Sequence, residues 1–554
     1  MTPTPLHRSA LRTRPLGLLA TLALLTSITA VGALPGTAQA AAKEKAAGPL
    51  TFDAAEAAGK DVDWGPQCDT ATGRLAVPSG YAPPCVQPWA GGDNGGATAP
   101  GVTANTIRVV LYQSQPDLLE QAFFEETGSD ESLEKERQTT QAYVDYFSAH
   151  YELYGRKVEM ITLKASGAPD DAITAKADAI KVATELHAFA SFGGPSQTGA
   201  YAEELAARGV LCVGDCLIAQ PQRVLEKNAP YLWPTLASPE QASEHWAAFV
   251  GTQLAKGKAT HAGDDLADKR RKFGIVHYDD DAGTFRSSVK SFASRLATYG
   301  VRPVVTIPYG LDLGTAQEDA RLVIAKLQTE GVTSVLLAGD PVFPTFLTAE
   351  ATKQGYFPEW VVLGYAYTDT AVFGRQYDAE QWKHAFGVSL LPARTSDDVD
   401  ELGNLITWQT GEPPSARTFR QLVQSPLIFF TGVHLAGPNL TAKTFAAGLD
   451  RFPSDPSTVA TRLHFSWGRH GIWKGVDLTG GDDATVIWWD PDARGPDEVG
   501  HDGDGLYRYA DEGARYLPGK WPTKAVGLYD DATSTTVLTE LPPADQPPSY
   551  PSPA

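Results

Sequence analysis

Short apolar segments alternate with amphipathic helical segments along most of this chain. The first apolar segment, residues 107–112, is rich in β-branched residues and predicts a strand. The next segment predicts a helix with Tyr143, Phe147 and Tyr151 on one face. The same unit recurs as far as residue 363. Because parallel strands need a connecting helix, and these helices cover both faces of the sheet, the alternation predicts an α/β fold built on parallel sheets.

The predicted strands fall into two series that separate near residue 230. The further strands are predicted at residues 158–163, 188–192, 210–213, 273–277, 304–307, 334–337 and 360–363. Gly300, Gly331 and Gly355 each follow a predicted helix, where a left-handed residue commonly ends one. A chain of 554 residues is too long for one ordinary core, so we expect two doubly wound parallel-sheet lobes.

Changes in composition and pattern divide the chain into six predicted parts. They are residues 1–40, a signal peptide; 41–100, a Pro/Gly-rich segment with a linker at 91–96; 101–230, the first lobe; 231–375, the second lobe; 376–490, which returns to the first lobe and completes the second; and 491–554, a C-terminal extension. A long helix is predicted at 419–435 and a late strand at 485–489. We expect the Pro-rich end from residue 542 to be disordered.

The first forty residues have the pattern of a targeting signal. Arg8, Arg12 and Arg14 precede an apolar stretch at 16–33, which ends in the small-x-small pattern Thr37-Ala-Gln-Ala40. A retained membrane anchor is the alternative, but the apolar run is short and is interrupted by Thr and Ser. We therefore expect a secreted protein, extracellular or associated with the cell wall, with no membrane insertion after the signal is removed.

The charge balance excludes one class of partner. Lys and Arg number 46 against 66 Asp and Glu, a net charge of −20, which repels nucleic acids and anionic membranes. The one basic run, residues 269–272, follows Asp264, Asp265 and Asp268 and is typical of a solvated turn. We expect no nucleic-acid partner.

The four cysteines indicate an oxidising compartment. Cys68 and Cys85 lie in the Pro/Gly-rich segment, where a disulfide would constrain a region with little periodic pattern, and Cys212 and Cys216 form a C-x3-C pair. Zinc is the alternative for the second pair, but no histidine or further cysteine lies nearby at ligand spacing. A redox site normally has C-x-x-C. We predict disulfides and leave their connectivity open.

The sequence contains only incomplete versions of known enzyme motifs. Residues 194–199 have one residue too many for the G-x-S-x-G turn, and residues 251–258 are out of register for a phosphate loop. Neither H-E-x-x-H nor G-x-G-x-x-G occurs. Asp502-Gly-Asp504-Gly505 lacks the remaining donors of a calcium loop and predicts an acidic turn. We therefore expect a binding protein without catalytic activity, metal or cofactor.

Polar and aromatic residues cluster directly after the predicted strands. The carboxyl ends of parallel strands open into a crevice, and helix N-termini there present free N–H groups to a ligand. The candidate ligand-binding residues are Gln113, Ser114, Gly194, Ser196, Gln197, Thr198 and Asp215 in the first lobe, and Tyr278, Asp281, Phe285, Asp340, Tyr365 and Tyr367 in the second. Each taken singly is compatible with an ordinary loop residue.

Four stretches give the chain a resemblance to a known family. They are residues 101–110, the loop Gly193-Gly-Pro-Ser-Gln-Thr198 with the segment up to residue 213, residues 231–241 and residues 273–285. In order and local pattern, the chain from about 101 to 490 resembles the leucine/isoleucine/valine-binding branch of the type I periplasmic solute-binding proteins of ABC importers. The resemblance implies two lobes joined by hinge strands that close around a ligand.

The same resemblance implies roles for particular residues. Ser196 and Thr198 would bind a carboxylate, Tyr278 with Phe285 would cover the ligand, and Asp340 would pair with an ammonium group. Asp281 and Asp369 are weaker candidates for that pairing. The implied partners are a small amino acid-like ligand and an ABC permease, and we expect a monomer.

One departure from the family leaves alternatives open. Members from organisms without an outer membrane are usually lipoproteins, yet this signal has no cysteine at its cleavage site, the nearest being Cys68. An extracellular sensor or scavenger on the same fold is therefore an alternative to a transport receptor. A secreted hydrolase is a third and weaker alternative.

Overall fold

Two β-sheets organise the protein, whose structure is a computed structural model. It describes residues 48–115, 132–214, 216–217, 220–279, 285–364 and 367–553. Ahead of both sheets, β1 (Cys68–Asp69) and β2 (Arg74–Leu75) form a short antiparallel pair.

The first sheet has five parallel strands. They are β3 (Thr106–Gln113), β4 (Lys157–Lys164), β5 (Ala190–Phe192), β6 (Leu211–Val213) and β7 (Leu232–Trp233). Their order across the sheet is β4-β3-β5-β6-β7. Strands β5 and β6 are buried along their whole length, which requires helices on both faces of the sheet.

The second sheet is larger and mixed. The strands in this part of the chain are β8 (Phe273–Tyr278), β9 (Val305–Tyr309), β10 (Ser334–Ala338), β11 (Glu359–Val362), β12 (Ala385–Ser389), β13 (Arg394–Thr395), β14 (Ala484–Pro496), β15 (Asp502–Tyr509), β16 (Arg515–Tyr516) and β17 (Val537–Leu538). The order is β15-β14-β12-β11-β10-β8-β9, with β16 beside β14, and β13 pairs separately with β17. Strands β8 to β12 are parallel, whereas β14, β15 and β16 are antiparallel.

Helices accompany both sheets. Those that pack with the first sheet are Leu133–His150, Ala172–Thr184, Ala200–Ala207, Gln222–Asn228, Glu401–Thr410, Phe419–Leu422, Gln424–Ala436 and Ala442–Leu449. Those in the part of the chain that builds the second sheet are Pro239–Phe249, Asp264–Ala267, Arg286–Thr298, Ala316–Thr329, Phe343–Lys353, Ala371–Gly374 and Ala379–Trp382. One further short helix, Phe52–Ala57, lies near the start of the described chain. No helix of the described residues is long and apolar enough to cross a bilayer.

Several helix ends follow directly from local sequence. Ser238 begins helix Pro239–Phe249 with a reciprocal cap: its Oγ accepts from the Gln241 amide, and Gln241 Oε1 accepts from the Ser238 amide. Gly300, Gly331 and Gly355 adopt φ values of 78°, 65° and 63° just after three helices, which confirms their predicted role as left-handed ends.

Separate apolar cores define two lobes, which confirms the predicted fold class. The first lobe's core draws on residues 75–233 and 405–478, and the second lobe's core draws on 242–393 and 484–526. The chain therefore passes between the lobes three times. We call residues 234–241, 394–404 and 479–483 the first, second and third crossings.

The predicted linker at residues 91–96 is instead packed against the first lobe. Asn94 is buried and donates to the carbonyls of Ala104 and Tyr154, and the buried Arg156 donates in turn to the Asn94 carbonyl. A glycine-rich composition suggested a flexible spacer, but these tertiary hydrogen bonds hold the segment in place. The Cys68–Cys85 disulfide, with Cα atoms 5.7 Å apart, closes the loop ahead of it.

The C-terminal end is likewise held, contrary to the predicted disorder. The indole of Trp408 donates to the Tyr550 carbonyl, and Ser552 donates back to the Trp408 carbonyl. Tyr550 also donates its hydroxyl to Asp69, which lowers the pKa of that carboxyl. Proline-rich composition gave no sign of these contacts, because they depend on residues more than a hundred positions away.

Two further local predictions were wrong in detail. The single helix predicted at 419–435 is two helices, Phe419–Leu422 and Gln424–Ala436. The acidic turn predicted at Asp502–Gly505 begins β15, because pairing with β14 overrides the low strand propensity of Asp and Gly.

Candidate functional site

The carboxyl edge of the first sheet brings the predicted glycine-rich loop against the second disulfide. Gly194 lies so close to the Cys216 backbone and the Tyr201 ring that a Cβ there would stand 2.9 Å from the Cys216 carbonyl oxygen. Cys216 is disulfide-bonded to Cys212 in β6. The predicted disulfides are therefore present, as Cys68–Cys85 and Cys212–Cys216. The second one fixes the loop after β6 beside the loop after β5.

Tyrosines form the floor of this edge. The Tyr112 and Tyr201 rings have centroids 4.6 Å apart, and the Tyr201 hydroxyl lies 2.8 Å from Ser191 Oγ. Tyr112 donates to Asp178, which also accepts from Ser166 on the loop after β4. Burial raises the pKa of Tyr201 far above its ordinary value, so the phenol stays neutral.

Buried polar groups without a hydrogen-bond partner collect at the same edge. Ser114 Oγ follows β3, Thr235 Oγ1 follows β7, and Gln220 lies on the segment that leaves β6. Gln220 is 3% exposed, and neither its amide oxygen nor its amide nitrogen has a partner among the residues that the structure describes. Gln424 Oε1, at the start of helix Gln424–Ala436, also has no hydrogen-bond partner among the described residues. Leaving such a group unsatisfied costs about 1–3 kcal/mol, so this edge is prepared for a hydrogen-bonding occupant.

The loop that carries Gln220 is anchored to the first crossing. The Gln222 amide donates to Glu240 Oε2, and Ser238 donates its hydroxyl to Gln222 Oε1. Glu240 Oε1 accepts from Ser288 on a helix of the second lobe. One carboxylate therefore connects the Gln220 loop of the first lobe to the second lobe.

The carboxyl edge of the second sheet is aromatic. Tyr278, at the end of β8, lies 5.6 Å from Phe285 and 6.1 Å from Tyr309 between ring centroids. Tyr309 stacks on Phe343 at 4.0 Å. Tyr309 in turn donates its hydroxyl to Asp340 at 2.7 Å. The structure thus brings together three predicted residues, Tyr278, Phe285 and Asp340, through Tyr309.

Asp340 is already well supplied with donors. Its Oδ2 accepts from Tyr309, and its Oδ1 accepts from the Val342 and Phe343 amides at 2.7 and 2.9 Å, which caps helix Phe343–Lys353. Burial nevertheless raises the pKa of this carboxyl. The capping role leaves less capacity for an ammonium group than the sequence suggested, so that pairing stays a prediction.

The weaker acidic candidate, Asp369, is buried at the next strand ends. It accepts a hydrogen bond of 2.5 Å from Ser389 at the end of β12, and burial raises its pKa to about 6. Tyr367, two residues earlier, is 36% exposed and has a left-handed backbone with φ 66°. That conformation is uncommon for a tyrosine and presents the residue at the surface.

The structure gives less support to the predicted ligand roles of the remaining residues. Gln113 is buried at the end of β3 and donates to the Leu133 carbonyl. Ser196 is half-buried with φ 41°, Gln197 is exposed, and Thr198 Oγ1 accepts from the Ala200 amide just before helix Ala200–Ala207. Asp215, Asp281 and Tyr365 lie outside the described residues. The individual ligand roles of all these residues stay predictions.

Sequence patterns missed four residues that the structure places at these edges. Tyr309 was missed because its strand was predicted to end at 307, two residues early. Thr235 follows a strand of only two residues, and Gln220 and Gln424 belong to no periodic pattern. A search for polar residues after every strand could have found Thr235 and Tyr309. No sequence pattern indicates that buried side-chain atoms of Gln220 and Gln424 lack hydrogen-bond partners among the described residues.

The chemistry available at these edges is that of neutral hydroxyl, amide and aromatic groups. Among the described ranges, no group of three or more His, Cys, Asp or Glu residues is arranged to hold a metal ion. Hydroxyls and amides can both donate and accept, and aromatic rings offer apolar area. Such a set can hold a small polar molecule in a fixed orientation.

Comparison with known proteins agrees with this architecture. The periplasmic binding protein family matches residues 124–478. A solute-binding protein of an ABC transporter from Rhodopseudomonas palustris HaA2, solved with p-hydroxybenzoic acid, has a TM-score of 0.50 at 12% identity and covers 76% of this chain and 98% of its own. No curated protein matches the chain by sequence.

Two other solved structures are similar at lower TM-scores. LivJ, the branched-chain amino acid transporter substrate-binding protein from Streptococcus pneumoniae, solved with isoleucine, has a TM-score of 0.47 at 14% identity, covering 73% of this chain and 100% of its own. A fatty acid ABC transporter substrate-binding protein from Thermomonospora curvata has a TM-score of 0.49 at 15% identity, covering 74% and 92%. The family match extends over more than half of the sequence, and the structure carries the two-lobed fold. The protein therefore belongs to the periplasmic binding protein family, whose members bind solutes.

Proposed function

We propose that this chain is an exported solute-binding protein without catalytic activity. It captures a small polar ligand, an amino acid or a similar zwitterion, between its two lobes and presents it to an ABC importer. The observation that carries the proposal is the set of buried polar groups without partners at the carboxyl edge of the first sheet, led by Gln220. In a family of solute-binding proteins, the most direct occupant of such an edge is the solute.

The two sheet edges offer different kinds of contact to a ligand. The first lobe offers hydroxyl, amide and helix N-terminal groups, which suit the polar end of a ligand. The second lobe offers Tyr278, Phe285 and Tyr309, which suit an apolar body. Closure of the lobes is favourable only when one ligand contacts both sets of groups. Ligand binding would therefore drive the change from the open to the closed form.

A thermal-shift panel of amino acids, amides, hydroxybenzoates and short-chain acids tests the proposal. A ligand at a hundred times its Kd adds about 2.7 kcal/mol to the free energy of unfolding, which raises the Tm by several degrees. A cognate solute should do this at micromolar concentration. The proposal fails if no member of the panel shifts the Tm.

Replacing Ser196 and Thr198 together by Ala tests the predicted carboxylate contacts. We expect the double variant to lose most of the ligand-induced shift while its unliganded Tm changes little, since neither residue is fully buried. A double variant that responded like the parent would place the ligand's carboxylate elsewhere. The permease partner is tested separately, because a sensor or scavenger would bind the same solute without stimulating an importer's ATPase.

A further inference from the structure

Three buried carboxyl groups lie within the seven residues 477–483, two of them in the third crossing and one just ahead of it. Asp477, Asp482 and Asp483 are 3%, 0% and 2% exposed. Buried carboxylates are tolerated only when cations or donors balance them. The groups that face these three carboxyls therefore decide how many of them are ionised.

Asp483 is fully balanced. Its two carboxylate oxygens accept from Arg515 Nε and Nη2 at 2.9 and 2.8 Å, and both side chains are completely buried. This two-pronged pair uses the one guanidinium in the cluster.

Asp482 has three hydrogen-bond partners. Its carboxylate accepts from Ser466, from the Trp473 indole and from His464 Nδ1 at 2.6, 2.7 and 2.8 Å. The other ring nitrogen of His464 faces the Asp455 carbonyl oxygen, so acceptors lie against both nitrogens.

A second histidine in the cluster supplies no charge. His245 Nδ1 accepts from the Trp521 indole, and its Nε2 therefore donates to the Asp482 carbonyl. Burial lowers the pKa of His245 to about 4, which agrees with a neutral ring. Among the described residues, Arg515 is thus the one arginine or lysine that hydrogen-bonds to any of the three carboxyls.

Asp477 is the carboxyl left without a cation. Its Oδ1 accepts from Gln241 Nε2 and from the Thr479 hydroxyl, both at 2.9 Å. Among the described residues Oδ2 has no donor, and the Asp482 carboxyl lies near enough to raise the pKa of Asp477. Two ionised carboxylates in contact would repel each other, whereas a proton on one of them turns the contact into a hydrogen bond.

We propose that Asp477 and Asp482 share one proton at neutral pH, and that this proton fastens the third crossing to the first. Gln241 is the last residue of the first crossing and lies in the first turn of helix Pro239–Phe249, and the Gly480 and Gly481 amides donate to the Pro234 and Thr235 carbonyls alongside. Loss of the proton to solvent would leave two adjacent buried negative charges, and the crossings would separate more easily. The device belongs to the hinge and does not depend on which ligand is bound.

The pKa shifts of the two carboxyls agree with this arrangement. Burial raises the pKa of Asp477 well above the ordinary carboxyl range, and the neighbouring Asp482 raises it further. Burial also raises the pKa of Asp482, to about 7. The unfolded chain releases these protons near pH 4. The stability contributed by the shared proton is therefore complete below about pH 4 and is lost as the pH rises toward the folded-state values.

Asp477→Asn tests the proposal. The Asn amide nitrogen donates to Asp482 permanently, and its oxygen keeps the bonds from Gln241 and Thr479. We expect the Tm of the variant relative to the parent to rise steadily from about pH 5 to pH 8, by about 3 °C or more in total. Asp312→Asn, at an exposed turn, is the control and should show no such trend. A flat difference between variant and parent, or a variant less stable than the parent at pH 8, would overturn the proposal.

Two measurements on the parent keep the test independent of that variant. Infrared difference spectra between pH 6 and pH 9 should show loss of a carboxylic-acid C=O band. Hydrogen exchange, corrected for its intrinsic pH dependence, should show the Gly480 and Gly481 amides losing protection over the same range. An unchanged spectrum together with constant protection would equally overturn the proposal.

Discussion

Arg515→Met should lower the free energy of unfolding by about 3–5 kcal/mol, the largest loss that we expect from any single polar substitution in this chain. The guanidinium is completely buried and donates to Asp483 and to the carbonyls of Leu390 and Leu391. It therefore connects the third crossing to the residues that follow β12 and lead into the second crossing. Methionine fills much of the volume but leaves the Asp483 carboxylate without its cation, with the His464 amide as its remaining donor, and removes a donor from the Leu390 and Leu391 carbonyls.

Chemical unfolding of parent and variant measures this effect. Arg494→Met is the matched control, because Arg494 pairs with Asp504 at the surface with both side chains about 70% exposed. Such pairs contribute roughly 0–1 kcal/mol, so the control should unfold close to the parent. If Arg515→Met cost no more than Arg494→Met, the buried pair would not be holding the crossings together.

Gln220→Leu should have opposite effects on stability and on binding. Leucine has nearly the same size and removes an amide that has no partner, so the unliganded protein should gain about 1–3 kcal/mol of stability. If the amide contacts the solute, the variant also loses those hydrogen bonds, and the affinity should fall by roughly 5- to 150-fold.

Calorimetric titration with the solute found by thermal shift, together with unfolding of the unliganded variant, separates the alternatives. A glutamine that only holds internal water would give a change in stability with unchanged affinity. Gln328→Leu, an exposed glutamine on helix Ala316–Thr329, controls for loss of an amide in itself and should change neither quantity. Parent-like affinity in Gln220→Leu would remove this residue from the proposed site.

Local pattern was sufficient for the parts of the fold in which strands and helices alternate. Most of the predicted strand ends lie within two residues of those in the structure. The polar residues after those strands were identifiable because parallel strands share one carboxyl edge. Tyr278, Phe285 and Asp340 do lie together for that reason.

The rest depended on contacts between distant residues. Strand β15 has the Asp-Gly composition of a turn and is a strand because of β14. Asn94 and Tyr550 lie in segments whose composition indicated no fixed structure, yet each is held by partners that the sequence places far away. Among the described residues, Gln220 has no hydrogen-bond partner, and Asp477 lies beside another buried carboxyl. Both facts depend on neighbours that only the fold brings together, and sequence periodicity does not indicate them.

The distance between the lobes with and without solute tests the central claim most directly. All four cysteines are in disulfides, so spin labels can be placed at Ile173→Cys and Leu313→Cys, which are exposed and follow the edge strands β4 and β9 of the two sheets. A solute that raises the Tm should shorten the distance between the labels measured by double electron–electron resonance. A bound solute that left the distance unchanged would contradict capture of the ligand by closure of the two lobes.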